Sequence, residues 1–108
     1  MNDGRVLYVV YNLDAPGTAT LRQQHREAHL RFMQELKDAG KVKIGGPFLS
    51  EDGKQRLGGM YILDVPSIED AIHIANQDPF VKAGLYPSTQ VRPWIWQTGR
   101  PESESESI

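Results

Sequence analysis

The sequence contains no cysteine. This absence excludes disulfides, thiolate nucleophiles and every zinc or iron–sulfur site that depends on cysteine ligands. It also fits a reducing compartment, so we expect a cytoplasmic protein. Long hydrophobic runs are missing as well, because the longest, from Val6 to Tyr11, is far too short to cross a bilayer. The N-terminus lacks the basic and apolar segments of a signal peptide. We therefore expect no membrane partner.

Clustered positive charge is also absent from the sequence. The chain carries a net charge of −2, and its last eight residues include three glutamates and no basic residue, so the rest of the chain carries +1. Binding to nucleic-acid phosphates needs a concentrated basic surface. We therefore expect no nucleic-acid partner, and a small-molecule substrate or ligand instead.

The hydrophobic pattern predicts four strands and two main helices. Strands are expected at 5–11, 41–50, 55–65 and 88–98, and helices at 18–39 and from Ser67 onward. Asp78-Pro79 opens a further short turn or helix. The order βαββαβ predicts an α+β, ferredoxin-like antiparallel sheet with two helices on one face, within residues 1–99. Residues 100–108, rich in serine and glutamate, are expected to form a disordered tail.

The first predicted strand is apolar on both of its faces. Its alternating sets are Val6, Tyr8 and Val10 on one face, and Leu7, Val9 and Tyr11 on the other. Two helices cover only one face of such a sheet, and a strand that is apolar on both faces needs cover on both. A second copy of the same sheet meets that need, so the sequence predicts a homodimer or a higher homo-oligomer.

His29 and Asp78 are the residues best suited to chemistry. His29 lies at the border of the apolar stripe of the first helix, where a half-buried imidazole can reach a cleft and transfer protons. The alternative is a packed histidine that only bonds a backbone carbonyl. Asp78 precedes Pro79 at a helix start and is explained without function as an N-cap. In the functional interpretation its carboxylate orients His29.

Several other residues have weaker claims to a site. Arg26, one turn before His29, suits an anionic substrate group or an ordinary ion pair with a glutamate. Trp94 and its neighbour Trp96 suit an aromatic pocket, or packing in a core or interface. Gly46 lets a ligand approach the backbone, and it is equally expected at a β-bulge. His25 and His29 have the spacing of two metal ligands on a helix, but no third ligand is evident, so we expect no metal.

The order and spacing of several short motifs resemble the YciI-like family of dimeric α/β-barrel proteins. The resemblance covers about residues 5–97. The motifs are Arg26-Glu27-Ala28-His29-Leu30, Gly45-Gly46-Pro47, Asp70-Ala71, Asp78-Pro79-Phe80 with Gly84, and Val91-Arg92-Pro93-Trp94. The chain departs from the commoner family pattern at Glu27-Ala28, where a proline is often found, and in its acidic tail.

The resemblance implies a dimer of ferredoxin-like subunits with a helix histidine and an aspartate as the active pair. It also implies chemistry of the kind found in the family, such as dehydrochlorination of a chlorinated hydroxyhydroquinone. Related barrel families include muconolactone isomerases and cofactor-free monooxygenases.

Together these observations lead to one functional hypothesis with three rivals. The hypothesis is a cofactor-independent lyase or isomerase in which His29 is the general acid or base, Asp78 sets its tautomer, and Arg26, Gly46 and Trp94 contact the substrate. The rivals are a non-catalytic binding or accessory protein, a monooxygenase of the same barrel superfamily, and a purely structural oligomerisation unit. The residues leave open whether the protein is an enzyme.

Overall fold

The structure, a computed structural model, describes residues 4–102. The elements are β1 (Val6–Leu13), α1 (Ala19–Asp38), β2 (Val42–Leu49), β3 (Arg56–Leu63), α2 (Ile68–Ala75), α3 (Pro79–Lys82) and β4 (Thr89–Ile95). Each predicted strand and helix is present, with ends that differ by no more than a few residues. The predicted α+β, ferredoxin-like fold is confirmed. The part of the predicted tail at 103–108 lies outside the described residues.

The four strands form one antiparallel sheet in the order β2-β3-β1-β4. In the two central strands, Tyr8 lies opposite Leu63 and Val10 opposite Tyr61. The last strand, β4, pairs with β1 at one edge of the sheet and contains Pro93. A proline has no amide hydrogen to donate, so an edge strand is where it is tolerated.

Both longer helices pack on the same face of this sheet. Leu36 of α1 and Ala71 and Ala75 of α2 meet the side chains of the two central strands in one buried cluster, completed by Tyr8, Val10, Tyr61 and Leu63. Burying an aliphatic or aromatic side chain of this size contributes about 1.5–3 kcal/mol. The cluster therefore fixes α1 over the sheet, and with it the histidine that α1 carries.

Close approach of β3 to its two neighbouring strands depends on two glycines. Gly58 has a φ of 154°, in a region that other residues rarely adopt, and a Cβ there would collide with the backbone oxygen of Asn12. A Cβ at Gly45 would lie 2.8 Å from the Cβ of Tyr61. These glycines bring Asn12 and Tyr61 to the end of the sheet where the cavity described below opens.

The sheet face opposite the helices carries exposed apolar side chains. Tyr11, Leu13 and Ile44 are 42%, 48% and 44% exposed, respectively. This pattern matches the apolar second face that the sequence predicts, and the homodimer expected from it stays a prediction. No helix within residues 4–102 has the length and apolar character needed to cross a membrane.

Candidate active site

His29 and Asp78 are in direct contact although 49 residues separate them in the chain. The imidazole Nδ1 of His29, on α1, lies 2.8 Å from the Oδ1 atom of Asp78, which immediately precedes α3. That distance is typical of a strong hydrogen bond between a nitrogen and a carboxylate oxygen. The two residues singled out from the sequence as a possible pair are therefore brought together by the fold.

Asp78 is held rigidly and is fully buried. Its Oδ1 atom also accepts a hydrogen bond from the backbone N–H of Phe80 at 2.9 Å, so it caps the N-terminus of α3 as well as meeting His29. Its side chain has no solvent exposure. The capping interpretation and the interpretation as a partner of His29 are thus both satisfied by the same oxygen.

The ring of His29 has one nitrogen engaged and one available. It stacks on Phe80, with ring centroids 4.3 Å apart and planes at 17°, and its side chain is 19% exposed. Because an ionised carboxylate only accepts hydrogen bonds, the contact with Asp78 requires the proton on Nδ1. The neutral ring then offers the lone pair of Nε2 to a ligand.

A largely buried arginine contacts the same aromatic ring. The guanidinium of Arg22 lies 4.7 Å from the centroid of Phe80 and donates two hydrogen bonds to Asp14, at 2.7 and 3.0 Å. Burial acts to lower the pKa of Arg22, but the hydrogen bonds and charge of Asp14 outweigh it, so the pKa is raised. Arg22 thus stays charged, and Asp14 neutralises much of that charge locally.

A cavity of about 580 Å³ opens beside this pair, between α1 and the β2–β3 side of the sheet. It is lined by His29 and Phe80 and also by Asn12, Arg22, Tyr61 and Tyr86. Two of the other sequence-predicted residues, Arg26 and Gly46, line it too. A side chain at Gly46 would meet nothing within 4 Å at its Cβ, so the glycine leaves space open there.

Trp94, predicted to contact the substrate, does not line this cavity. It lies on β4, at the opposite edge of the sheet from β2, with its ring centroid 5.9 Å from that of Trp96. The fold therefore brings His29, Asp78, Arg26 and Gly46 to one end of the sheet and places Trp94 elsewhere.

The two cavity tyrosines are neutral hydroxyls. Burial raises the pKa of Tyr61 far above its usual range, and the negative charge of Asp78 adds to that shift. Burial and the charge of Asp78 also raise the pKa of Tyr86, against the opposing effect of Arg22. At neutral pH both groups therefore keep the proton that a hydrogen bond to a ligand oxygen requires.

Three buried polar atoms at this end of the molecule have no hydrogen-bond partner within the described residues. They are the Oδ1 of Asn12, the hydroxyl of Tyr61 and the Oδ2 of Asp78. Buried polar groups are satisfied in the large majority of cases, so each exception calls for an explanation. A ligand or an ordered water in the adjoining cavity would supply the missing bonds of Asn12 and Tyr61, which line it.

Asn12, Arg22, Tyr61 and Tyr86 are among the cavity residues that were not predicted from the sequence. A polar Asn12 at the end of an otherwise apolar strand was a detectable signal. Arg22 and Tyr86 carry no such signal, because their roles depend on contacts between distant segments. Within residues 4–102 there is no group of three or more histidine, aspartate or glutamate side chains suited to a metal ion.

The sequence matches known proteins over most of its length. The YCII-related domain family matches residues 6–95. Protein YciI from Escherichia coli O6:H1 is 33% identical over 94 residues, which cover 82% of this chain and 96% of that protein. An uncharacterised protein from Bacillus subtilis, YjpA, is 30% identical over 77 residues, covering 71% and 84% of the two chains.

Solved structures extend the comparison to the fold. The 5-chloro-2-hydroxyhydroquinone dehydrochlorinase TftG from Burkholderia phenoliruptrix, in complex with 2,5-dihydroxybenzoquinone, superimposes with a TM-score of 0.73 at 34% identity, covering 82% of this chain and 92% of that one. A hydroxynitrile lyase from Passiflora edulis, only 15% identical, shares the fold with a TM-score of 0.51 and covers 93% and 100% of the chains. The chain belongs to the YciI-like family of YCII-related domain proteins.

Proposed function

We propose that this protein is a cofactor-independent enzyme that performs acid–base chemistry on a small organic metabolite, as a dehydrochlorinase-like lyase or an isomerase. The observation that carries the proposal is the 2.8 Å contact between His29 Nδ1 and a carboxylate, Asp78, that is fully buried and held by a backbone N–H. An imidazole oriented in this way beside a cavity has the elements of a general base.

In the proposed reaction the Nε2 atom of His29 takes a proton from the substrate. The imidazolium that forms is stabilised by the carboxylate of Asp78 through the Nδ1–H hydrogen bond. In an elimination, the electron pair left by the proton forms a new π bond while chloride leaves with the electrons of its own bond. In an isomerisation, His29 returns the proton to a different atom of the same molecule.

The relation to TftG supports a lyase over other reaction types. That protein is a dehydrochlorinase, and it matches this chain at 34% identity over most of both sequences. Its complex holds a hydroxylated quinone. In this chain the neutral hydroxyls of Tyr61 and Tyr86 and the Nε2 of His29 are groups that suit the oxygens of a hydroxylated ring.

The test uses 5-chloro-2-hydroxyhydroquinone and measures chloride release together with the absorbance of the ring product. We expect turnover by the unmodified protein, and a loss of at least about a hundredfold in His29→Gln and Asp78→Asn. His25→Gln is the matched control. It removes a histidine one turn earlier on the same helix that does not line the cavity, and it should retain full activity.

Other outcomes of the same experiment favour the alternatives. If no chloride is released but 2,5-dihydroxybenzoquinone binds, and binding survives His29→Gln with little loss, the protein is a binding or accessory protein. Consumption of molecular oxygen with the ring substrate would instead indicate a monooxygenase. Equal activity in all three variants would contradict the role of His29.

We also propose that the protein is a homodimer in which a second copy covers the sheet face opposite the helices. The exposure of Tyr11, Leu13 and Ile44 on one surface supports this assembly, because monomers rarely leave large contiguous apolar patches in water. Sedimentation at micromolar concentration should give the mass of two chains, and Tyr11→Lys should shift the mass toward one. The proposed compartment is the cytoplasm, on the basis of the cysteine-free sequence.

A further inference from the structure

The side chains around the cavity differ in charge from the protein as a whole. The chain has a net charge of −2. Five cationic residues line the cavity, namely Arg22, Arg26, Lys37, Lys43 and Arg56. Within residues 4–102, no aspartate or glutamate lines it. A concave surface lined by charges of one sign concentrates ligands of the opposite sign.

Three of these cations, Arg26, Lys37 and Arg56, are available to a ligand, and two of the three are arginines. Arg22 is neutralised by Asp14, and Lys43 lies 3.5 Å from the carboxylate of Asp64. The guanidinium groups of Arg26 and Arg56, by contrast, form no ion pair with any side chain in the described part of the chain. Both residues are exposed, one on α1 and the other at the first position of β3.

We propose that this cavity selects small organic anions, with an apolar ring-like body and a carboxylate or phenolate oxygen held by Arg26 and Arg56. The inference rests on the proposed function and adds the charge class of its substrate. Guanidinium groups present paired N–H donors that match a carboxylate, so two of them form a specific anion site as well as an attractive one.

The spacing between Arg26 and His29 on α1 determines how large a ligand can reach both residues. It precedes His29 by three positions on α1, and residues at that spacing on a helix have Cβ atoms about 5–6 Å apart. An anion held by Arg26 therefore places the body of a ring-sized molecule within reach of the imidazole. Apolar side chains that receive such a body, Leu30, Met33 and Met60, line the same cavity.

The experiment compares benzoate with benzamide, which have nearly the same shape and differ in charge. Binding is measured by NMR titration of the full chain, with His29 as the reporter. We expect benzoate to bind more tightly than benzamide. Arg26→Gln and Arg56→Gln should each weaken benzoate by about fivefold and leave benzamide unchanged. Added salt should weaken benzoate in the unmodified protein and have less effect in the double variant.

Lys54→Gln is the matched control for the loss of one positive charge. It lies two residues from Arg56 and does not line the cavity, so benzoate binding should be unaffected. The inference is overturned if benzoate does not bind, if benzamide binds equally well, or if the preference for benzoate persists in the double variant. Failure of the proposed function would be a separate result. The contact between His29 and Asp78, on which that function rests, is tested in the protein without benzoate or benzamide.

Discussion

The helix–sheet core and the cavity end of the molecule both contain fully buried side chains, but only at the cavity end are some of them polar. The core cluster contains Val10, Leu63 and Ala71, which are apolar and have no solvent exposure. At the cavity end, Asn12 and Asp78 are buried to the same degree, at 2% and 0% exposure. Each keeps one polar atom without a partner within the described residues.

Apolar burial in the core stabilises the fold, whereas the unpartnered polar groups at the cavity end do not. Burial of apolar surface favours folding in proportion to its area. Leaving a buried polar group without a hydrogen bond costs about 1–3 kcal/mol. A stable fold gains nothing from such groups, and the two that line the cavity, Asn12 and Tyr61, support the ligand site proposed above. Tyr61 belongs to both regions, with its ring in the core cluster and its hydroxyl unpartnered.

The largest effect on stability is expected in the core. Leu63→Ala removes a fully buried side chain from β3 and should lower the free energy of unfolding by about 3 kcal/mol, measured by urea denaturation. Leu57→Ala is the matched control on the same strand, where the side chain is 44% exposed, and should cost less than about 1 kcal/mol. Equal losses in the two variants would contradict the assignment of the core.

A smaller loss is expected at Asp78, where a side chain serves both the fold and the site. Asp78→Ala removes the cap on Phe80 and the partner of His29, and should cost about 2 kcal/mol in urea denaturation. Asp78→Asn keeps an oxygen for the cap and should cost no more than half as much. If Asp78→Ala is as stable as the unmodified protein, the capping contact described above is not formed.

Tyr61→Phe should be neutral or stabilising by up to about 1 kcal/mol at neutral pH, because it removes a buried hydroxyl that has no partner. Burial raises the folded-state pKa of Tyr61 above its ordinary 10.0. Ionisation of Tyr61 therefore leaves the stability of the protein unchanged below about pH 10 and lowers it as the pH rises further, because only the unfolded chain releases the proton. Urea denaturation from pH 8 to 11 should show less alkaline destabilisation in Tyr61→Phe; identical profiles would argue against burial of the hydroxyl.

The smallest effect is expected at a charged pair that belongs to neither region. Arg5 donates two hydrogen bonds to Asp64, at 2.8 and 3.2 Å, and these bonds lower the pKa of Asp64. The resulting stability is present above the unfolded-state pKa near 3.8 and is lost as the pH falls through the folded-state value. Because the side chains are 44% and 27% exposed, Asp64→Asn should cost less than about 0.5 kcal/mol at pH 7 and almost nothing at pH 3.

The fold was predictable because its elements follow local rules. The period of the stripe through Leu36 defines α1, and Ser67 starts α2 by accepting the N–H of Asp70 at 3.1 Å, as its position in the sequence suggests. The order of the elements then restricts the topology to very few arrangements. The apolar second face of the sheet was evident from β1 alone.

The site was only partly predictable, because side chains meet there from distant segments. His29 and Asp78 each showed a local signal, a border position on a helix and an aspartate before proline. The bond between Arg22 and Asp14, and the position of Arg56 at the cavity, depend on how β1, β3 and α1 pack together. Trp94 was predicted at the site and does not line the cavity. The sequence around an aromatic residue on a strand does not show whether its ring lines a pocket or packs at the edge of a sheet.

The most direct test of the account is the tautomer of His29, read from the ¹⁵N chemical shifts of its ring at a pH where the imidazole is neutral. Free imidazole side chains favour the proton on Nε2, whereas the contact with Asp78 requires it on Nδ1. We predict that the Nδ1–H form dominates in the unmodified protein and loses population in Asp78→Asn, while His25 is unchanged. A His29 with its proton on Nε2 in both proteins would contradict the pair on which the proposed chemistry depends.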